Sequence, residues 1–114
     1  MPKVFIPQMP SRFDTATNLW IPTVNITPAK RFGDLVVVLP PAASRGGIEV
    51  CTHALRQAME DYTKADFIVA LGDPTLYAIA ACFAAEQTGG LLRMLKWDRI
   101  QHDYLIVEVE VWTR

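Results

Sequence analysis

The sequence predicts an α/β domain whose mixed sheet has a parallel centre and an antiparallel C-terminal hairpin, and three patterns carry that prediction. Two short apolar runs, Leu35-Val36-Val37-Val38-Leu39 and Phe67-Ile68-Val69-Ala70-Leu71, lack the alternation of a half-exposed strand, as strands covered on both faces do. Each is followed by a stretch of helical periodicity. Residues 91–112 then read as two strands around a polar turn. The 34–97 segment is thus a strand-helix-strand-helix-strand core, Rossmann-like in the loose sense, in two or three layers, with right-handed crossovers.

Residues 1–33 hold five of the eight prolines and no helical period, so this third is expected as extended segments and turns wrapped on the core. Within it, residues 3–6 read as a short strand. Asp14-Thr15-Ala16-Thr17-Asn18 lies between apolar clusters at Phe13 and Leu19-Trp20-Ile21, where side chains that bond nearby backbone favour a turn. Thr27-Pro28 has the form of an N-cap followed by proline at the first helical position, with Gly33 ending one short helical turn.

Pro40-Pro41 stops the first buried run. Ile48, Cys51, Leu55, Ala58, Met59 and Tyr62 then recur at three- and four-residue spacing, with Glu49, Arg56, Gln57, Glu60 and Asp61 on the other side. That is an amphipathic helix lying on the sheet. After the second run, Gly72-Asp73-Pro74-Thr75 turns the chain into another helix, with Asp73 as its cap and Pro74 at its first position. This helix is apolar nearly all round and is expected to be covered on more than one side. Gly89-Gly90 supplies a left-handed end.

In the hairpin, a four-residue loop between Asp98 and Asp103 sets Arg93 opposite Glu108 and Trp97 opposite Tyr104, both favourable cross-strand pairs. Val107, Val109 and Val111 then face the core, because a one-residue slip would bury Glu108 and Glu110.

The chain has 114 residues, 51% hydrophobic and 20% charged, which fits one domain spanning 1–114. A net charge of −1 gives no global field to hold a polyanion, so nucleic-acid contact would need a local patch. The longest apolar stretch, residues 76–85, is too short to span a bilayer. No signal-peptide pattern opens the chain, and an intracellular protein without membrane contact is expected. Cys51 and Cys82, both on apolar helix faces, are expected as buried thiols. Neither a metal nor another cofactor is implied.

In open parallel sheets, ligands bind beyond the carboxyl ends of the strands. Two loops here meet that description. One offers Ser44, Arg45, Gly46 and Gly47, suited to a phosphate or carboxylate; the other offers Gly72, Asp73 and Thr75. Neither matches a dinucleotide or Walker pattern, Pro74 removes a backbone donor, and Asp73 repels an anion. The plain alternative is that the glycines turn the chain and Asp73 caps a helix. A third surface interleaves Arg93, Lys96, Trp97, Arg99, His102 and Tyr104; such side chains suit a protein interface or stacked bases. Nearby acidic residues nearly cancel its charge, so a solvated hairpin is its plain reading. Phe5, Phe13, Leu19, Trp20 and Ile21 are many large apolar groups for an irregular segment, and any left exposed would favour a homo-oligomer or a partner. His53 and His102 are expected at the surface. No catalytic residue and no motif of an enzyme can be assigned.

Arg12-Phe13-Asp14, Trp20-Ile21-Pro22, Pro28-Ala29 with Phe32-Gly33, Leu39-Pro40-Pro41, Gly72-Asp73-Pro74, and Leu95-Lys96-Trp97-Asp98-Arg99 with Tyr104 and Glu108 together resemble a family of small uncharacterised proteins encoded by tailed bacteriophages. The resemblance spans nearly the whole chain and implies a protein made in the cytoplasm of the infected bacterial host. It brings no activity and no catalytic residues with it. The leading expectation is a non-enzymatic binding or regulatory protein that contacts a host or phage protein through the hairpin and the N-terminal aromatic surface. The others are a small-anion or nucleotide-like ligand at the strand-end loops and, ranked below them, nucleic acid on the hairpin.

Overall fold

The computed structural model describes residues 1–112 and, of Ser44, the backbone alone. In chain order the elements are β1 (Lys3–Gln8), β2 (Ser11–Asp14), β3 (Leu19–Pro22), a 3-10 turn (Thr27–Phe32), β4 (Asp34–Leu39), a second 3-10 turn (Pro41–Arg45), α1 (Ile48–Ala58), β5 (Phe67–Val69), α2 (Pro74–Thr88), β6 (Leu91–Asp98) and β7 (Asp103–Glu110). Five strands form one sheet in the order β4-β1-β5-β6-β7, while β2 and β3 make a separate hairpin. The first four run parallel and β7 is antiparallel to β6. The expected mixed sheet with a parallel centre and an antiparallel C-terminal hairpin is therefore present.

The largest departure from the sequence reading concerns β1. The core was expected to begin at Asp34, with residues 1–33 around it. Instead Lys3–Gln8 is inserted between β4 and β5, and Val4, Phe5 and Ile6 are at most 1% exposed. Pro7 is tolerated there because the ladder to β5 covers only Val4 and Phe5, so its missing N–H lies past the end of that ladder. Displaced to the edge, β4 is not covered on both faces as its apolar run suggested, and Val37 is exposed.

The sheet's two faces are covered unequally. Phe5 and Ile68 pack under both helices with Leu55, Met59, Leu76 and Phe83. Val4, Ile6, Phe67, Val69 and Leu95 point the other way, onto Ala29 and Phe32 of the first 3-10 turn and onto Tyr104. Because α1 and α2 share one face, the second layer is thin. Arg31 clips it down by donating to Asp103 Oδ2 at 2.8 Å and to the Tyr104 carbonyl at 3.2 Å.

Several local expectations hold. Asp73 caps α2, its carboxylate accepting from the Thr75 N–H at 2.9 Å, and Gly89 ends the helix in the left-handed conformation at φ 70°. The turn after Asp14 joins β2 to β3, and Arg93 pairs with Glu108, Trp97 with Tyr104 and Asp98 with Asp103. Four expectations fail. Thr27 lies inside the 3-10 turn rather than capping it; its N–H bonds Asn25 Oδ1. One side of α2 is open, so Ala78 and Cys82 are exposed; only Cys51 is a buried thiol. Val109 and Val111 do not reach the core, because α2 covers β6 but stops short of β7.

Candidate functional site

From β1 the chain moves to β4 on one side, then crosses back over β1 to β5 on the other. Such a reversal opens a crevice at the carboxyl end of β1, since the segment after β1 leads to the first 3-10 turn on one face while the loops after β4 and β5 lead into α1 and α2 on the other. Gln8, the last residue of β1, stands at that point. Its side chain is almost wholly buried and ties together the loops that follow β4 and β5. Nε2 donates to the carbonyls of Pro40 and Pro41 at 3.3 and 3.0 Å, and Oε1 accepts from the Asp73 N–H at 3.0 Å. Gly72 passes so close over this residue that a Cβ would stand 2.7 Å from the Gln8 carbonyl oxygen, and its φ of +95° favours glycine in any case.

A cleft of about 480 Å³ opens above the clasp, lined among others by Gln8, Trp20, Arg45, Gly72 and Asp73. The loops around Arg45 and Asp73, far apart in sequence, are thus neighbours. Arg45 lies 5.7 Å from the centre of the Trp20 ring, and Trp20 meets Phe13 edge-on at 5.4 Å. Gly46 and Thr75 line a smaller depression of about 140 Å³ that shares Asp73 with the cleft. Gly47 is exposed and lines neither, and the side chain of Ser44 lies outside the described residues. The cleft holds one cation and one carboxylate, and Asp73 already spends an oxygen on Thr75.

On the hairpin, the basic and aromatic side chains separate into two groups. Arg93 stacks on Phe67 at 4.2 Å, donates to the Lys64 carbonyl at 2.9 Å, and sets Nε 2.9 Å from Glu108 as a charge contact rather than an aligned hydrogen bond. Tyr104 is buried. These two hold the fold together. Lys96, Trp97 and Arg99 instead border a second cleft of about 540 Å³ with Tyr77 and Met94. Burial raises the Tyr77 phenol above its usual pKa, so it is a neutral donor near pH 7, and here it donates to Met94 Sδ at 2.6 Å.

Among the described residues, neither cleft brings together a nucleophile, a base and an orienting group, the constellation that covalent catalysis requires. His53 and His102 are both exposed. Among the described residues no group of three His, Cys, Asp or Glu side chains could hold a metal ion, and no helix is long and apolar enough to cross a membrane. Sequence reasoning missed Gln8. The available signal was a polar residue directly after the apolar run Val4–Pro7, at the carboxyl end of a strand.

The family model of the Phage Pam3 gp32-like protein matches residues 2–111, nearly the entire chain. The chain belongs to that family. The resemblance to small phage-encoded proteins, carried by the Gly72-Asp73-Pro74 and Lys96-Trp97-Asp98-Arg99 elements among others, is thereby borne out. In this member of the Pam3 gp32-like family the first element forms a wall of one cleft and the second a border of the other. No curated protein and no solved structure matches the chain.

Proposed function

We propose that this phage protein works without catalysis, by holding a strand of another protein chain against its C-terminal hairpin. The observation that carries this reading is the condition of β7. It is the outermost strand of the sheet, eight residues long, and Leu105, Ile106, Val109, Val111 and Trp112 in and beside it are 41–57% exposed. Leu105 and Ile106 lie on opposite faces, so the edge is apolar on both. Long open edges are normally blunted by lysine, proline or a bulge, because their free N–H and C=O groups template further pairing. β7 contains no lysine or proline, and one of its two outer glutamates, Glu108, is neutralised by Arg93. An added strand would gain main-chain hydrogen bonds and cover these side chains together.

The partner is a host or phage protein, or a second copy of this chain. A photo-crosslinking residue at Ile106, introduced through the phage and activated during infection, is expected to give one discrete adduct whose mass separates these cases. Val109→Lys with Val111→Lys should abolish it. No adduct from Ile106 or from Leu105 would overturn the reading.

A small anion or nucleotide-like ligand at the first cleft is a second reading, favoured by the way Gln8 draws the Arg45 and Asp73 loops to either side of one opening. A panel of nucleotides and sugar phosphates tests it by thermal shift, since a ligand at one hundred times its dissociation constant stabilises by about 2.7 kcal/mol. No shift across the panel would remove it.

A further inference from the structure

Three cavities follow one another at the carboxyl end of the sheet. The cleft above Gln8 and a middle cavity of about 280 Å³ are both lined by Thr23, and the middle cavity shares Trp97 with the cleft beside Lys96 and Arg99. With strands about 4.8 Å apart, the row from β4 to β7 extends roughly 19 Å. Trp20 stands in the first cavity and Trp97 between the other two, each incompletely buried.

The charges along this row differ from the near-neutral count of the hairpin sequence. Arg31 and Arg93 are consumed by Asp103 and Glu108. Arg45 at one end and Lys96 and Arg99 at the other have no carboxylate partner among the described residues. Of the carboxylates at this end, Asp103 holds Arg31, while Asp73 and Asp98 accept from the backbone N–H of Thr75 and Ile100 and keep their charge, so the three unpaired cations exceed the unpaired carboxylates by one. Arg45 thus sits 5.7 Å from the Trp20 ring at one end of the row, and at the other Trp97 lines a cavity that Lys96 and Arg99 also border.

We infer that the row is a single groove for a short single strand of nucleic acid, with bases stacking on Trp20 and Trp97 and phosphates reaching Arg45, Lys96 and Arg99. Stacking platforms interleaved with cations bind such strands without reading their sequence. An acidic peptide would meet the same charges, but the cavities lie across strand ends, where there is no ladder for its main chain to join. The inference goes beyond both readings above, since it uses neither the β7 edge nor a ligand confined to the first cleft.

Fluorescence anisotropy with a labelled twelve-residue oligothymidylate tests it. Three phosphate contacts predict that affinity falls with a logarithmic salt slope of about 2, or roughly sixteen-fold between 50 and 200 mM salt. Lys96→Gln and Arg99→Gln, at exposed positions that leave the core intact, should each reduce the slope by about 0.7. Trp20→Ala should weaken binding by about fivefold or more, and Lys64→Gln, before β5 and away from the groove, should change nothing. The inference is overturned by absence of binding at 50 mM salt, by a slope indifferent to Lys96 and Arg99, or by equal competition from thymidine monophosphate or from an acidic peptide of the same charge.

Discussion

Gln8 shows how one buried amide can decide a local architecture. It makes three hydrogen bonds from a site with almost no water, and an unmatched donor or acceptor in such a place costs about 1–3 kcal/mol. Gln8→Leu keeps the volume but strands the Asp73 N–H, and it is expected to lower unfolding free energy by about that amount in urea titration. At the opposite end of the sheet Asp66 does comparable work. Its carboxylate accepts from the N–H of Lys3 and the N–H and hydroxyl of Thr63, while Tyr62 donates to its carbonyl at 3.1 Å. Burial, followed by the charge of Asp66, raises the Tyr62 phenol well above 10.0. The folded state therefore holds that proton more tightly than the unfolded chain. Stability from this group is complete below pH 10 and is lost as pH rises beyond it. Thermal melts at about pH 8 and about pH 11 should show an alkaline loss that is smaller in Tyr62→Phe than in the natural protein.

At the scale of elements, α2 begins where its local chemistry says it should. Asp73 satisfies an otherwise unpaired N–H, and Asp73→Ala is expected to cost about 1 kcal/mol in denaturant unfolding. α2 also explains why hydrophobicity alone overstates burial. Its alanines and Cys82 look like core, yet a helix packed on one side of a sheet covers only the stripe that meets the sheet and its neighbour α1, and Ala78 and Cys82 remain in solvent. The hairpin was legible for a different reason. Strand register follows from alternation and turn length, both local, so Arg93–Glu108 and Trp97–Tyr104 could be paired from the sequence. The same alternation says which side Val107 and Val109 face but not whether anything lies there.

For the whole molecule, the consequential fact is that the sheet is open at β7 and reverses direction at β1. On the proposed strand-pairing reading, the open edge is where a partner would be tested by added charge. Val109→Lys with Val111→Lys places charge at sites already in solvent, so urea unfolding should stay within about 0.5 kcal/mol of the natural protein. A larger loss would show that these side chains contribute to the fold itself. The reversal, in turn, places the Arg45 and Asp73 loops on one opening, although 28 positions separate those residues in the sequence.

The sequence by itself determined the α/β class, both helices, the cap at Asp73, the hairpin register and the phage family, because each depends on neighbouring residues or on an extended match. It could not place Lys3–Gln8 inside the sheet, between β4 and β5. Strand order is set by which apolar faces are left after both helices have docked, and that competition involves segments more than thirty residues apart, such as β1 and β4. The tertiary structure alone decided that β4 is an edge, that Gln8 clasps two loops, and that Lys96, Trp97 and Arg99 share a cleft while Arg93 and Tyr104 serve the core. In each case burial depends on what the rest of the chain covers, which no local pattern records.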